Sequence, residues 1–352
     1  MPSVQPGSLV VITGVNGHLA SATAIRLLQK GYKVRGTVRA LKSGNYVRRE
    51  FASFGSNFEL VEVRDITITG AFDKALEGAF AVVHLASPVT MDAKRPEEQY
   101  VPAVDGTVKL MESMVKHPGI QKFLYFGSIG SVIMTAKDPA KDVITGDDWN
   151  VMTGELVKNL DDPMIGFHIY VGSKLVAEKA AWKFMEDKQP RFTMTALLPS
   201  VNWGPIHKAM TGPPRQDVSL GWLYDLIGDP PRKKGVSTAK ISTFVHVYDV
   251  ADIVVAALTS PEADGQRIIC NGERTSYAVV CEILRKAYPD RRVPPADPNE
   301  PALAYPGADV IQFDTSLGAK LLGGRWRSLE EMTLDGAKAL IEKEQRGWDK
   351  ED

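Results

Sequence analysis

Short β-branched runs alternate with helix-length apolar patterns through the first two hundred residues, and that alternation leaves few folds open. Leu9-Val10-Val11-Ile12 reads as a buried strand, followed by a helix carrying Ile25, Leu27 and Leu28 that stops at Gly31. Further strands are expected at Tyr32 to Val38, Phe58 to Val63, Ala81 to Ala86, Lys122 to Phe126 and Phe192 to Leu198. Near-continuous apolar strands separated by helices of ten or more residues imply βαβ units and a parallel sheet covered on both faces. Ligands on such sheets sit at the carboxyl ends of the strands.

After Pro199 the texture changes. Residues 204 to 235 and 287 to 307 are rich in proline and glycine, while Thr243 to Val247 and a helix from Val250 to Leu258 read as a return to the main sheet. Ser328 to Lys343 reads as a polar amphipathic helix. The expected division is a doubly wound α/β domain of the Rossmann type over residues 1–201, rejoined by 241–262. A smaller discontinuous C-terminal substrate-binding domain is expected over 202–240 and 263–352.

At 352 residues the chain is long for one core, which agrees with two domains. Lys plus Arg (42) nearly balances Asp plus Glu (43), so there is no basic field to gather nucleic acid. No apolar run approaches the roughly 18 residues of a membrane span. The two cysteines, Cys270 and Cys281, are no disulfide framework, the start lacks a signal-peptide pattern, and a cytoplasmic location is expected.

Three motifs carry chemistry. Thr13-Gly14-Val15-Asn16-Gly17-His18-Leu19-Ala20 lies between the first strand and the first helix, where glycines admit a tight turn and the helix N-terminus favours a diphosphate. His18 in this loop is expected to be exposed. Strand two ends in Thr37-Val38-Arg39-Ala40-Leu41-Lys42, with no carboxylate to read a ribose 2′-OH. Arg39 and Lys42 suit a 2′-phosphate instead, which selects NADPH. Tyr170 and Lys174 form the only Tyr-x-x-x-Lys among ten tyrosines, one turn apart on an expected helix from Gly166 to Glu178. An ammonium there is expected to pull the phenol toward a working pKa. Ser128, after the fifth strand, is placed to hold a carbonyl oxygen near Tyr170. The six histidines are scattered, so no metal site is expected, and His84 reads as a satisfied structural residue.

In order, these motifs resemble the extended short-chain dehydrogenase/reductase family over nearly the full length. Added to them are Asp65-Ile66, His84-Leu85-Ala86-Ser87-Pro88, Gly106-Thr107, Pro199-x-x-x-x-Gly204-Pro205 and Phe244-Val245-His246-Val247-x-Asp249-Val250-Ala251. Gly31 to Arg39 is similar to the NADPH-preferring branch that contains dihydroflavonol reductases. Asp148-Trp149-Asn150 and Ala180 to Met185 are most similar to fungal carbonyl reductases. The resemblance implies that Tyr170 protonates the carbonyl oxygen, Lys174 binds the nicotinamide ribose and Ser128 orients the substrate. It places adenine at Asp65 and Ile66, and nicotinamide near Ala86, Ser87, Pro88 and the backbone from Pro199 to Val201. Gly127 stands where the family usually has serine, a change expected to widen the pocket. Ile133 and Gly166-Phe167-His168-Ile169 depart from the plant reductases.

The expected protein is therefore an NADPH-dependent reductase of an aldehyde, ketone or β-keto ester, acting as a monomer or homodimer. Its pocket is expected near Ser131, Ile133, Asn202, Trp203 and Trp222. Two rivals are an NAD-retaining nucleotide-sugar epimerase or dehydratase, and a non-catalytic NADPH-sensing regulator.

Overall fold

A computed structural model describes residues 3–87, 91–215, 218–238, 241–300 and 310–349. The main strands are β1 (Leu9–Thr13), β2 (Lys33–Val38), β3 (Phe58–Glu62), β4 (Ala81–His84), β5 (Lys122–Phe126), β6 (Thr193–Pro199), β7 (Val201–Trp203), β8 (Ile241–His246), β9 (Arg267–Cys270) and β10 (Glu273–Ser276). The longer helices are α1 (His18–Gln29), α2 (Glu97–Val115), α3 (Ile165–Lys188), α4 (Ser219–Ile227), α5 (Val247–Thr259), α6 (Tyr277–Ala287) and α7 (Leu329–Gln345).

Among the described residues, seven strands form one parallel sheet in the order β9-β6-β5-β4-β1-β2-β3. Side chains alternate across it as period two demands. Val10 and Ile12 pack with Leu27, Val250 and Val254 under α1 and α5, while Val11 packs with Val82, Phe123, Leu110 and Met111 on the α2 side. Both faces are covered, which is why the central strands β1, β4, β5 and β6 are buried almost throughout. Strand order reverses beside β1, where Thr13 lies level with His84 of β4, and the crevice for a ligand opens there.

One expectation about the second half is corrected. The strand at 241–246 does not rejoin the main sheet. It runs parallel to β7 and antiparallel to β10 in a separate three-stranded sheet. The strand that returns is β9, assigned by the sequence pattern to the smaller domain, which pairs with β6. Only α5 returns as expected, packing on α1. The smaller sheet has its own core of Trp203, Leu223, Phe244, Tyr277, Met332 and Leu340, to which α4, α6 and α7 contribute. No helix among the described residues is long and apolar enough to cross a membrane.

Candidate active site

The glycine loop leaves β1 at Thr13, whose hydroxyl is a hub. Thr13 Oγ1 accepts from the Leu85 and Ala86 N–H groups at 3.0 and 2.9 Å and meets His84 Nδ1 at 2.8 Å. This ties the end of β4 to the end of β1. His84 also reaches Thr107 at 3.5 Å, so its structural role holds. Burial first, and then the Lys174 charge, push its pKa down to about 3 and keep the ring neutral.

Gly14 has φ +66°, and a Cβ there would come within 3.2 Å of the Ala86 Cα. Gly17 opens α1 without any side-chain cap, so the amides of the first turn have no side-chain acceptor. An uncapped helix N-terminus beside a close backbone approach fits a diphosphate. Asn16 donates to Ser43 O at 3.2 Å, which leaves its amide turned toward the 3-10 turn after β2, and Leu19 packs into the core under α1.

His18 is not exposed as expected. Both ring nitrogens are buried with no hydrogen-bond partner. Burial, followed by the charges of Lys208, His207 and His246, holds its pKa at about 3. These facing groups lie beyond β7, so the loop abuts the smaller domain.

Arg39 and Lys42 stand in solvent just past β2, and Arg39 faces Asp65. Asp65 is exposed, and its carboxylate accepts from the Thr67 N–H and hydroxyl at 2.8 and 2.7 Å. Those bonds hold its pKa below the usual carboxylate range. Ile66 lies over α2, where a Cβ on Gly106 would meet its Cδ1 at 2.6 Å. A carboxylate does stand beside the end of strand two: Glu62 of β3 is level with Val38. It is already engaged by the Leu41 N–H and by Arg64, at 3.2 and 2.6 Å. Ala86 and Ser87 are half-buried near the strand edge, and Pro88 lies outside the described residues. Pro199, level with Cys270, ends β6, and Val201, level with Phe244, begins β7.

Ser128, Tyr170 and Lys174 converge at the carboxyl edge. Ser128 follows β5 in extended backbone, and its Oγ accepts from Gly130 N at 3.1 Å, capping a 3-10 turn. The Tyr170 side chain lies beside Ser128. Burial raises the Tyr170 pKa, with Ser128 opposing. The expected downward pull from Lys174 is not among its causes, because burial lets Lys174 give up its proton before the phenol ionises. The Lys174 pKa falls to about 8, and only Glu178 resists. α3 presses against α2 so closely that a Cβ on Gly172 would overlap the Tyr100 hydroxyl at 1.7 Å.

The pocket assignments divide. Trp203 is fully buried, packs with its ring tilted against Phe244 at 4.6 Å between centroids and donates to Ser219 O at 2.7 Å, so it belongs to the core of the smaller sheet. Ile133 is likewise packed inside the main core rather than lining an opening. Ser131 is buried with its hydroxyl unpartnered. Asn202 and Trp222 keep part of their surface open. Gly127 does not widen a pocket either. A Cβ there would point at Leu198 Cδ2 (2.7 Å) and Glu178 Oε2 (3.0 Å), into the core.

Sequence reasoning gave no role to Asn150. Its amide donates to Gly130 O at 3.0 Å, its N–H to Ser131 O at 2.8 Å, and its Oδ1 accepts from Met152 and Thr153. It fixes the turn that carries Ser128. The polar residue between two helices was visible; its partners twenty residues away were not.

Residues 10–271 match the family model described as the NAD dependent epimerase/dehydratase family. The chain is 31% identical over 336 residues to aldehyde reductase 2 of Sporidiobolus salmonicolor, covering 94% of this chain and 95% of the relative. It is 29% identical over 343 residues to a ketoreductase of Aspergillus fumigatus, covering 93% and 96%. A crystal structure of a yeast methylglyoxal/isovaleraldehyde reductase complexed with NADPH superimposes with TM-score 0.79 at 27% identity, covering 96% of this chain and 99% of that one.

Proposed function

The chain belongs to the NAD dependent epimerase/dehydratase family, and from that footing we propose that it is an NADPH-dependent reductase of a small aldehyde, ketone or β-keto ester. The single observation that carries the reading is the placement of Tyr170 beside Ser128 at the carboxyl end of β5, with Lys174 buried one turn away on α3. Fungal and yeast relatives named as reductases, one of them complexed with NADPH, support it.

NADPH, when bound, supplies the hydride. The protein's part is to hold the carbonyl and move one proton. Ser128 offers its hydroxyl to the carbonyl oxygen, and Tyr170 donates its proton to that oxygen as negative charge grows there. A phenol whose pKa is raised keeps its proton at neutral pH and so has one to give. Lys174, still largely an ammonium near neutrality, stabilises the phenolate left behind and is placed to bind a ribose hydroxyl. The loop from Thr13 to Leu19 would hold the diphosphate, Arg39 and Lys42 the 2′-phosphate, and Asp65 and Ile66 the adenine. Ala86, Ser87, Pro199 and Val201 would border the nicotinamide.

A rival, the NAD-retaining sugar-nucleotide epimerase, has Glu62 beside Val38 in its favour. That carboxylate is already bonded to Leu41 and Arg64, so a ribose would have to displace them. Loss of NADPH absorbance with a panel of carbonyl compounds tests the proposal. Tyr170→Phe is expected to lower kcat by about 10²–10⁴-fold while NADPH still binds. Substantial residual turnover would sink the proton-transfer role of Tyr170, and tightly bound NAD in the purified protein would favour the rival.

A further inference from the structure

Glu178 lies one turn beyond Lys174 on α3 and is fully buried. A buried carboxylate is costly unless paired. Its Oε1 accepts from Arg267 Nε at 2.7 Å and from Trp182 Nε1 at 3.5 Å, and its Oε2 has no hydrogen-bond partner. The missing side chain of Gly127 leaves the space that Oε2 occupies.

Arg267 opens β9 and reaches in the opposite direction as well. Its guanidinium lies 3.5 Å over the Trp149 ring, and Nη1 donates to the carbonyls of Gly146 and Asp148 at 2.5 and 2.6 Å. The same segment runs on to Asn150, which binds the turn after Ser128. A continuous polar path therefore joins the Lys174 turn of α3 to the Ser128 turn, through Glu178, Arg267 and residues 146–150.

We propose that Glu178 and Arg267 are positioning residues for the reduction: Glu178 supplies the counter-charge to the Lys174 ammonium, and Arg267 fixes the segment that sets Ser128 against Tyr170. The inference rests on the reductase reading above. An ordinary stabilising ion pair would have no reason to end on the supports of two catalytic residues. Glu178 is also the one group that opposes the effect of burial on Lys174.

Other groups near Lys174 do not duplicate this charge. His84 on β4 is neutral, and burial holds the protons of Tyr125 on β5 and of Tyr170 on α3. α2 presents Gln99, Tyr100 and Thr107 to this region; its Glu97 and Glu98 are exposed, Asp105 is half-buried, and Lys109 is paired with Glu112. The short helix Thr153–Leu156 adds the exposed Glu155, and the turn after Ser128 has no ionisable side chain.

The decisive measurement is direct titration of the Lys174 ¹³Cε resonance in the cofactor-free protein, wild type against Glu178→Gln and Glu178→Asp. Glu178→Gln removes the counter-charge and leaves the Arg267 cation unbalanced; both lower the Lys174 pKa. Its midpoint is expected to fall by about one unit, and Glu178→Asp to recover most of the shift. Superimposable titrations for wild type and Glu178→Gln would overturn the proposal. If Glu178→Gln does not fold, Arg267→Lys keeps the buried charge but loses the planar fork. It is expected to lower kcat about tenfold with the Lys174 midpoint kept within about half a unit; unchanged kcat would overturn the positioning role. A wild-type protein without NADPH-dependent carbonyl reduction would instead sink the functional reading, and the titration would still report on the pair.

Discussion

Arg39 leaves β2 into solvent with Asp65 opposite it, a placement that costs the fold little and makes it free to meet a ligand anion. A guanidinium that pairs with a phosphate contributes about 1.5–3 kcal/mol. Arg39→Ala is therefore expected to raise the NADPH KM by at least about tenfold and leave the NADH KM unchanged. Equal changes with both cofactors would remove its role in selecting the phosphate. Arg39, Ser128, Tyr170 and Lys174 were legible in the sequence because each follows a recognisable strand or repeats a helical spacing. Glu178, Arg267 and Asn150 were not, since their value comes from partners brought together by folding. His18 was misread for the same reason: a glycine loop looks open until the smaller domain is laid against it. Gly127 shows the converse, a position beside Ser128 whose missing side chain serves the core.

At the scale of elements, what could be read depended on length and self-sufficiency. β1, β4, β5 and β6 were legible as apolar runs, and β2 and β3 by their β-branched and aromatic residues between turn signals. β9 has four residues, begins with Arg267 and is followed at once by Asn271-Gly272, too little for a pattern. β8 was read as a strand but given the wrong neighbours, since pairing is decided by distant register and not by its own residues. α7 was read correctly and carries a complete capping box. Ser328 Oγ accepts from the Glu331 N–H at 3.2 Å, and Glu331 Oε2 accepts from the Ser328 N–H at 2.7 Å. Because α7 sends Met332 and Leu340 into the smaller core, its first turn matters beyond the helix. Ser328→Ala is expected to cost about 1 kcal/mol. Urea denaturation checks this; the midpoint should fall with the slope unchanged.

The whole molecule should respond to acid through its buried neutral imidazoles. His84 has a pKa near 6.5 when unfolded and about 3 when folded. Between those values the unfolded chain binds a proton that the folded chain refuses, so stability falls as pH drops through that window. The loss from this residue is about 1.4 kcal/mol per pH unit. Calorimetric melting at about pH 7 and about pH 5 should show a lower Tm in acid, and His84→Asn should flatten that difference. A variant whose Tm falls as steeply as that of the wild type would assign the acid sensitivity elsewhere.

The chain crosses between its two larger sheets with almost no connecting length. Ser200 alone separates β6 from β7, β8 runs directly into α5, and Asn271 and Gly272 alone separate β9 from β10. The smaller sheet is thus spliced into the larger one at several points. Such a unit cannot be traded between relatives as a cassette. A lineage that needs a new substrate has to remodel it in place, by lengthening or recomposing the stretches at 204–235 and 287–307 while the splice points stay fixed.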